Sequence, residues 1–134
     1  MAVQWTFKCY VSPTGIDEIR AAYDKEGKQT KSKFLSRLKA LHRMPFNEWT
    51  NGGMLAKDLH GPCKGLTEIK FVADKLQQRP LGFRSGESEF TIVFWAHEKG
   101  GKWVDRNTCS KATERKNEIV KNGNAAHDLW LVLE

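Results

Sequence analysis

The chain has 134 residues, with 22 Lys and Arg against 16 Asp and Glu, a formal net charge of +6. That length fits one domain spanning residues 1–134. A hydrophobic fraction of 40%, with five Trp and seven Phe, supplies a core and excludes a disordered chain, and no apolar run approaches the about 20 residues that span a bilayer.

The charge is uneven. Residues 1–67 carry 11 basic and 6 acidic side chains, whereas residues 68–134 carry 11 and 10. Such a balance attracts polyanions, and nucleic acid is the first partner to consider, with plain solubility as the alternative. Residues 1–10 include Gln4, Thr6 and Lys8 and no apolar segment, so no signal peptide is expected. Three unpaired-looking cysteines, Cys9, Cys63 and Cys109, suggest reduced thiols and a cytoplasmic setting.

In chain order, the alternation of Trp5, Phe7, Cys9 and Val11 with Thr6, Lys8 and Tyr10 predicts a half-buried strand. Ser12-Pro13 predicts the start of a helix that Gly27 ends, with Ile16, Ile19 and Tyr23 on one face. A second helix is predicted over residues 30–42, because Phe34, Leu35, Leu38 and Leu41 form a core-facing stripe. Its other faces hold Lys31, Lys33, Arg37 and Lys39, and no acid falls within residues 27–47. Pro45 ends that helix, and a loop through Asn51-Gly52-Gly53 leads to His60-Gly61-Pro62.

The second half predicts three strands: one through Leu66, Ile69, Phe71 and Ala73, then residues 77–83 and residues 89–97. Pro80 places the middle one at an edge or a bulge. Phe90, Ile92, Phe94 and Ala96 alternate with Thr91, Val93, Trp95 and His97, and both sets are mostly apolar, so the last strand is expected to be central. A helix follows over residues 108–121, ended by Asn122-Gly123, and residues 129–133 form a short strand or a packed tail. The expected architecture is α+β, two N-terminal helices packed on an antiparallel sheet plus a C-terminal helix.

Metal and nucleophile motifs are weak. His60 and Cys63 form a single spaced pair rather than the two pairs of a zinc site, and Cys109 has no context that makes it a nucleophile beside His97 or His127. Gly52-Gly53 and Gly100-Gly101 lack the spacing of a phosphate-binding loop. Lys70, Arg79, Arg84 and Lys99 fall on or next to the predicted strands, where matched parity would bring them to one face. Cations gathered without an obligatory acid suit phosphate chemistry; the same residues also describe an ordinary solvated sheet face.

The stretch from His60-Gly61 through Gly65-Leu66-Thr67-Glu68-Ile69-Lys70, Arg79-Pro80-Leu81-Gly82-Phe83, Phe90-Thr91-Ile92-Val93, Glu98-Lys99-Gly100-Gly101-Lys102-Trp103 and Ala112-Thr113-Glu114-Arg115-Lys116 resembles the HigB-like, phage-derived branch of the RelE/ParE toxin superfamily. That resemblance implies a RelE-like fold of two N-terminal helices on a strongly twisted antiparallel sheet. It implies the toxin of a type II toxin–antitoxin pair, neutralised by a helix-turn-helix antitoxin and acting on mRNA in the ribosome. The implied reaction needs no metal or other cofactor: the RNA 2′-OH attacks the adjacent phosphate. By position, the resemblance assigns Arg79 and Lys99 to charge stabilisation and Lys70 to substrate binding or base work.

Relatives carry a C-terminal Tyr or His, whereas the tyrosines here are Tyr10 and Tyr23, which leaves His97 or His127 as the proton donor. Lys31, Lys33, Arg37, Lys39 and Arg84 are then expected to meet RNA or ribosomal phosphates, with an acidic antitoxin segment as the alternative for the helix. A non-enzymatic relative, a ParE-like gyrase inhibitor or a phage partner-binding protein, is the alternative function. No membrane partner is expected.

Overall fold

A computed structural model describes residues 4–133. Residues 1–3, part of the stretch in which no signal peptide is expected, lie outside the described residues. β1 (Thr6–Tyr10) is followed by α1 (Glu18–Asp24), α2 (Lys28–His42) and the short α3 (Phe46–Trp49). Then come β2 (Ala56–Asp58), β3 (Thr67–Ile69), β4 (Phe71–Ala73), β5 (Leu76–Gly86), β6 (Glu89–Lys99) and β7 (Lys102–Trp103). α4 (Thr108–Lys121) and β8 (Ala126–Asp128) close the described chain.

The expected small antiparallel sheet under two helices is not what forms. Among the described residues the sheet has eight strands in the order β2-β3-β5-β6-β1-β8, with β4 also on β5 and β7 also on β6. It is mixed, because β1 runs parallel to β6 while β8 is antiparallel to β1. Alternation marks β1 as a strand but does not choose its partner; that choice depends on contacts between residues some 80 positions apart, such as Phe7 with Phe90.

Both faces are covered. Ile19 of α1 and Phe34, Leu38 and Leu41 of α2 pack with Phe7, Phe71, Phe90, Ile92 and Trp95 on one face. Ala112 and Ile119 of α4 pack with Tyr10, Leu81, Phe83, Val93 and Ala96 on the other.

Two irregularities decide which face each side chain takes. Leu81 pairs with Phe94 but Gly82 pairs with Ile92, so Val93 is an extra residue, a β-bulge. Beyond it the alternation switches: Trp95 joins the α1/α2 side, and Phe94 and Ala96 face α4. The expected sets of alternating residues therefore mix across the bulge, although β6 is central as expected. Gly82 sits beside this bulge, and an added Cβ there would lie 2.4 Å from the Thr91 carbonyl oxygen and 2.5 Å from Phe90 Cε1.

β5 is not an edge strand: it pairs with β6 on one side and with β3 and β4 on the other. Pro80 is accommodated because it lies opposite the break between β3 and β4, where Ile69 and Lys70 do not pair with β5.

The first helix is shorter than Ser12-Pro13 suggests. Ser12 to Ile16 instead form a turn closed by Ser12 N–H to the Ile16 carbonyl (2.9 Å), with Gly15 at φ 85°. Asp17 is the N-cap, accepting from the Ile19 and Arg20 N–H groups at 3.1 and 2.9 Å. α2 carries no side-chain cap of its own; Asp74, in the β4–β5 turn, accepts from Thr30 Oγ1 at 2.8 Å and places its carboxylate at that helix end. The terminal strand is residues 126–128, and Leu129, Trp130, Leu131 and Leu133 pack as a tail on the α1/α2 core.

Candidate nucleic-acid interface

The last β3–β5 pair is Thr67 with Gly82. Past it, Phe83 to Ser85 of β5 continue without a β3 neighbour, because the chain before β3 turns away at Leu66 and Gly65. Gly65 has φ 92°, a left-handed conformation that disfavours side chains, and a Cβ there would lie 2.9 Å from Lys116 Nζ. The space between the free end of β5, the 59–66 loop and the second half of α4 is a cleft of about 650 Å³. Its walls include Phe46, Asp58, His60, Lys64, Phe83, Arg84, Lys116 and Val120.

Rings and carbonyls hold the cations of this cleft. The Arg84 guanidinium lies 4.8 Å from the Phe46 ring centroid and 5.4 Å from that of Trp5, and donates weakly to the Glu87 carbonyl at 3.5 Å. Lys116 Nζ lies 5.3 Å from the Phe83 centroid and donates to the Gly65 carbonyl at 3.0 Å. Lys64 and His60 are exposed on the loop. Among the described residues, none of these four forms an ion pair with a carboxylate. The one carboxylate of the lining, Asp58, accepts from Thr67 Oγ1 at 2.7 Å.

The 59–66 loop is attached to α4 by a Cys63–Cys109 disulfide, with Cα atoms 4.8 Å apart. The expectation of three reduced thiols is corrected here: 46 residues separate the two cysteines, and their proximity exists only after α4 packs across the sheet. Cys9 is free and buried, and burial, reinforced by the nearby Asp17 charge, raises its pKa well above the ordinary thiol value.

The other cations and histidines expected from the sequence lie outside this cleft. Arg79 is buried, at 5% exposure. Its guanidinium donates to the Gln78 carbonyl at 2.9 Å and to the Phe71 carbonyl at 3.3 Å, and it lies 3.8 Å from Glu68 and 3.7 Å from Glu98. Burial raises the Glu68 carboxyl pKa, and the Arg79 charge opposes that rise.

Lys70 Nζ donates to the Gly53 carbonyl at 2.7 Å. His97 Nε2 meets Glu26 Oε2 at 3.2 Å, which ties β6 to the segment before α2. Lys99 is exposed at the β6–β7 turn. His127 pairs with Asp17 at 2.6 Å on the far edge of the sheet. None of the expected catalytic residues Lys70, Arg79, His97 and Lys99 lines the cleft, although Lys70 and Arg79 both lie near Glu68.

On α2, Lys31 lies 5.4 Å from the Tyr23 ring centroid and Lys33 donates to the Val72 carbonyl at 2.8 Å. Burial lowers the Arg37 pKa from the ordinary guanidinium value, and Lys39 is exposed. Arg84 alone of the sequence-selected cations lines the cleft. His60, Lys64, Phe46, Phe83 and Lys116 were not selected as site residues. Two glycines bracketing a loop cation, Gly61 and Gly65, were the available signal, since both adopt positive φ.

Among the described residues, no three His, Cys, Asp or Glu side chains stand together as metal ligands, and no helix is long and apolar enough to cross a membrane. Comparison with protein-family models, curated proteins and solved structures gives no match to this chain. The RelE/ParE resemblance accordingly rests on its motifs alone.

Proposed function

We propose that the protein binds single-stranded RNA, seating the phosphodiester backbone in the cleft between the free end of β5, the 59–66 loop and α4. One observation carries this reading: Arg84, Lys116 and Lys64 converge on a single concavity without carboxylate partners, and rings and carbonyls already fix two of them. Cations fixed in place lose little side-chain freedom when a phosphate arrives, so more of the electrostatic attraction is retained as affinity. Asp58 repels phosphate but accepts hydrogen bonds, and a ribose 2′-OH is a donor that DNA lacks. The concavity suits a flexible strand that enters it rather than the convex surface of a duplex.

This reading concerns binding. Strand cleavage by Lys70, Arg79, His97 and Lys99 is not part of it, because Arg79 and His97 are engaged by acids and the four are not gathered at the cleft. The test is fluorescence anisotropy with a labelled oligouridine and its deoxy counterpart. The RNA is expected to bind more tightly than the DNA, with a log–log salt slope of about −2 for three phosphate contacts on a single strand. Arg84→Ala or Lys116→Ala should each weaken binding about tenfold, as expected for loss of one charge-assisted contact. If neither substitution affects affinity, the cleft is not the RNA site.

A further inference from the structure

The cleft wall that carries His60 and Lys64 is a short loop. Internal backbone bonds shape it, from Leu59 N–H to the Leu66 carbonyl (2.9 Å) and from Lys64 N–H to the Gly61 carbonyl (3.0 Å). These bonds give the loop its form and the β2–β3 ladder holds its two ends, whereas the tip at residues 61–64 is placed against α4 by other contacts. The pairing of Asp58 with Thr67 and the burial of Leu66 hold the loop's ends, and its middle is attached to α4 by the Cys63–Cys109 disulfide, the burial of Cys63 beside Ala112, and the hydrogen bond from Lys116 to Gly65. Two of these three contacts of the loop's middle are therefore made by Cys63. The position of Lys64, the next residue, relative to Lys116 across the cleft depends on that cysteine.

We propose that Cys63–Cys109 is a reversible redox site that sets the affinity of the cleft, oxidation forming the RNA-binding state. The proposal rests on the RNA-binding reading for its consequence but not for the redox chemistry itself. The co-reactant is a dithiol. Cys63 is buried whereas Cys109 is partly exposed at the start of α4, so the attacking thiolate reaches Cys109 Sγ. That attack forms a mixed disulfide on Cys109 and releases Cys63 as a thiolate, which takes up a proton. The second thiol of the reductant then displaces Cys109. The dithiol leaves as its own disulfide, having given two electrons and two protons to the protein cysteines. Cys9 takes no part, being fully buried with its thiol held protonated.

Reduction removes the covalent tie while leaving the loop's internal bonds intact. The tip at residues 61–64 can then shift off α4 and separate Lys64 from Lys116, and a divided cation set binds a phosphodiester strand less well. A disulfide oxidant, such as the oxidised form of the same dithiol, reverses the exchange by taking two electrons and two protons from the pair, so that the wall is restored and affinity follows the redox state.

The experiment compares the protein equilibrated with oxidised glutathione against the protein treated with dithiothreitol. Three readouts are taken: alkylation of thiols by mass spectrometry under denaturing conditions, the rate of tryptic cutting after Lys64 in the native state, and oligouridine affinity. The oxidised protein should show one alkylatable cysteine, Cys9, and the reduced protein all three. Reduction should speed cutting after Lys64 at least fivefold and weaken RNA binding at least fivefold. Arg84→Ala should keep the redox-dependent cutting, and Cys109→Ser should behave as the reduced protein under both conditions. Should Cys109→Ser fail to fold, the reduced wild-type chain still supplies the comparison.

Failure to recover a Cys63–Cys109 linked peptide after oxidation overturns the proposal, as does equal cutting after Lys64 in both states. Redox-dependent cutting without any RNA binding in the oxidised state overturns the RNA-binding reading and with it the control of affinity, and leaves the redox site standing. RNA binding that is equal in the two states overturns control of affinity alone.

Discussion

Arg79 and Arg84 stand five residues apart on β5, and the protein uses them in opposite ways. Arg79 points into the layer between β5 and its neighbours, where Glu68, Glu98 and two backbone carbonyls surround its guanidinium. Arg84 emerges past the end of β3 and rests on Phe46 and Trp5 with no carboxylate on it. One cation is spent on the fold and the other is presented to solvent. The difference comes from what lies beside the strand: Arg79 sits opposite the break between β3 and β4, which leaves carbonyls to satisfy, and Arg84 sits where β5 has lost its neighbour. A strand Arg is therefore not a phosphate ligand by virtue of its type; the acid in its vicinity decides.

The sharpest break of this comparison is Arg79→Ala. An exposed strand Arg would lose little on truncation, but removal of this one leaves Glu68 buried without its counter-charge, and about 3–5 kcal/mol of stability should go. Urea unfolding checks this, and a change under about 1 kcal/mol would mean that the Arg79 network is not buried as described. Cys109→Ser comes next. Opening a cross-link that spans 46 residues should cost about 2–4 kcal/mol through the freedom it restores to the unfolded chain, read in the same unfolding assay.

Arg84→Ala should move the other way between assays: about tenfold in RNA affinity, with stability lowered by no more than about 1 kcal/mol from the lost ring contacts. Lys99→Ala, at the exposed β6–β7 turn, should shift stability by less than about 0.5 kcal/mol and leave cleft affinity within twofold.

The α4 face also carries a titratable group whose ionisation depends on the fold. Tyr10 is buried with its ring beneath the Arg115 guanidinium, its partly buried hydroxyl donates to Glu118, and its pKa is pushed up to about 12. Burial is the main cause, and the hydrogen bond to Glu118 adds to it. In the unfolded chain a phenol ionises near 10. The folded state holds the proton longer, so this contribution is full below about pH 10 and is lost as pH rises toward 12. Phenolate absorbance should appear near that higher value for Tyr10, and Glu118→Gln should bring the midpoint down. An unmoved midpoint in that variant would remove Glu118 from the explanation.

Local pattern was enough for the stripe of α2, for the strand at residues 6–10, for the centrality of β6 and for most of α4, because each depends on neighbours within a turn or a strand. It was not enough for four things. The parallel pairing of β1 with β6 and the covering of the second sheet face by α4 depend on distant contacts. The Val93 bulge shifts side chains between faces without leaving a mark such as Gly or Pro at its own position. The Cys63–Cys109 link joins two segments that carry no paired spacing. The same limits governed the candidate site. The charge of Arg84 is legible in the sequence, but its ring supports, Lys116 on another layer and the acids that engage Arg79 and His97 are all products of tertiary packing.

The central claim is that acid-free cations around the cleft, rather than the basic face of α2 or the β6–β7 turn, meet RNA. Photo-crosslinking with a thiouridine-substituted oligonucleotide, followed by peptide mapping, tests it most directly. The account predicts adducts on the peptides that carry His60 and Lys64, Phe83 and Arg84, and Lys116. Adducts confined to residues 28–43 or 97–103 would contradict it.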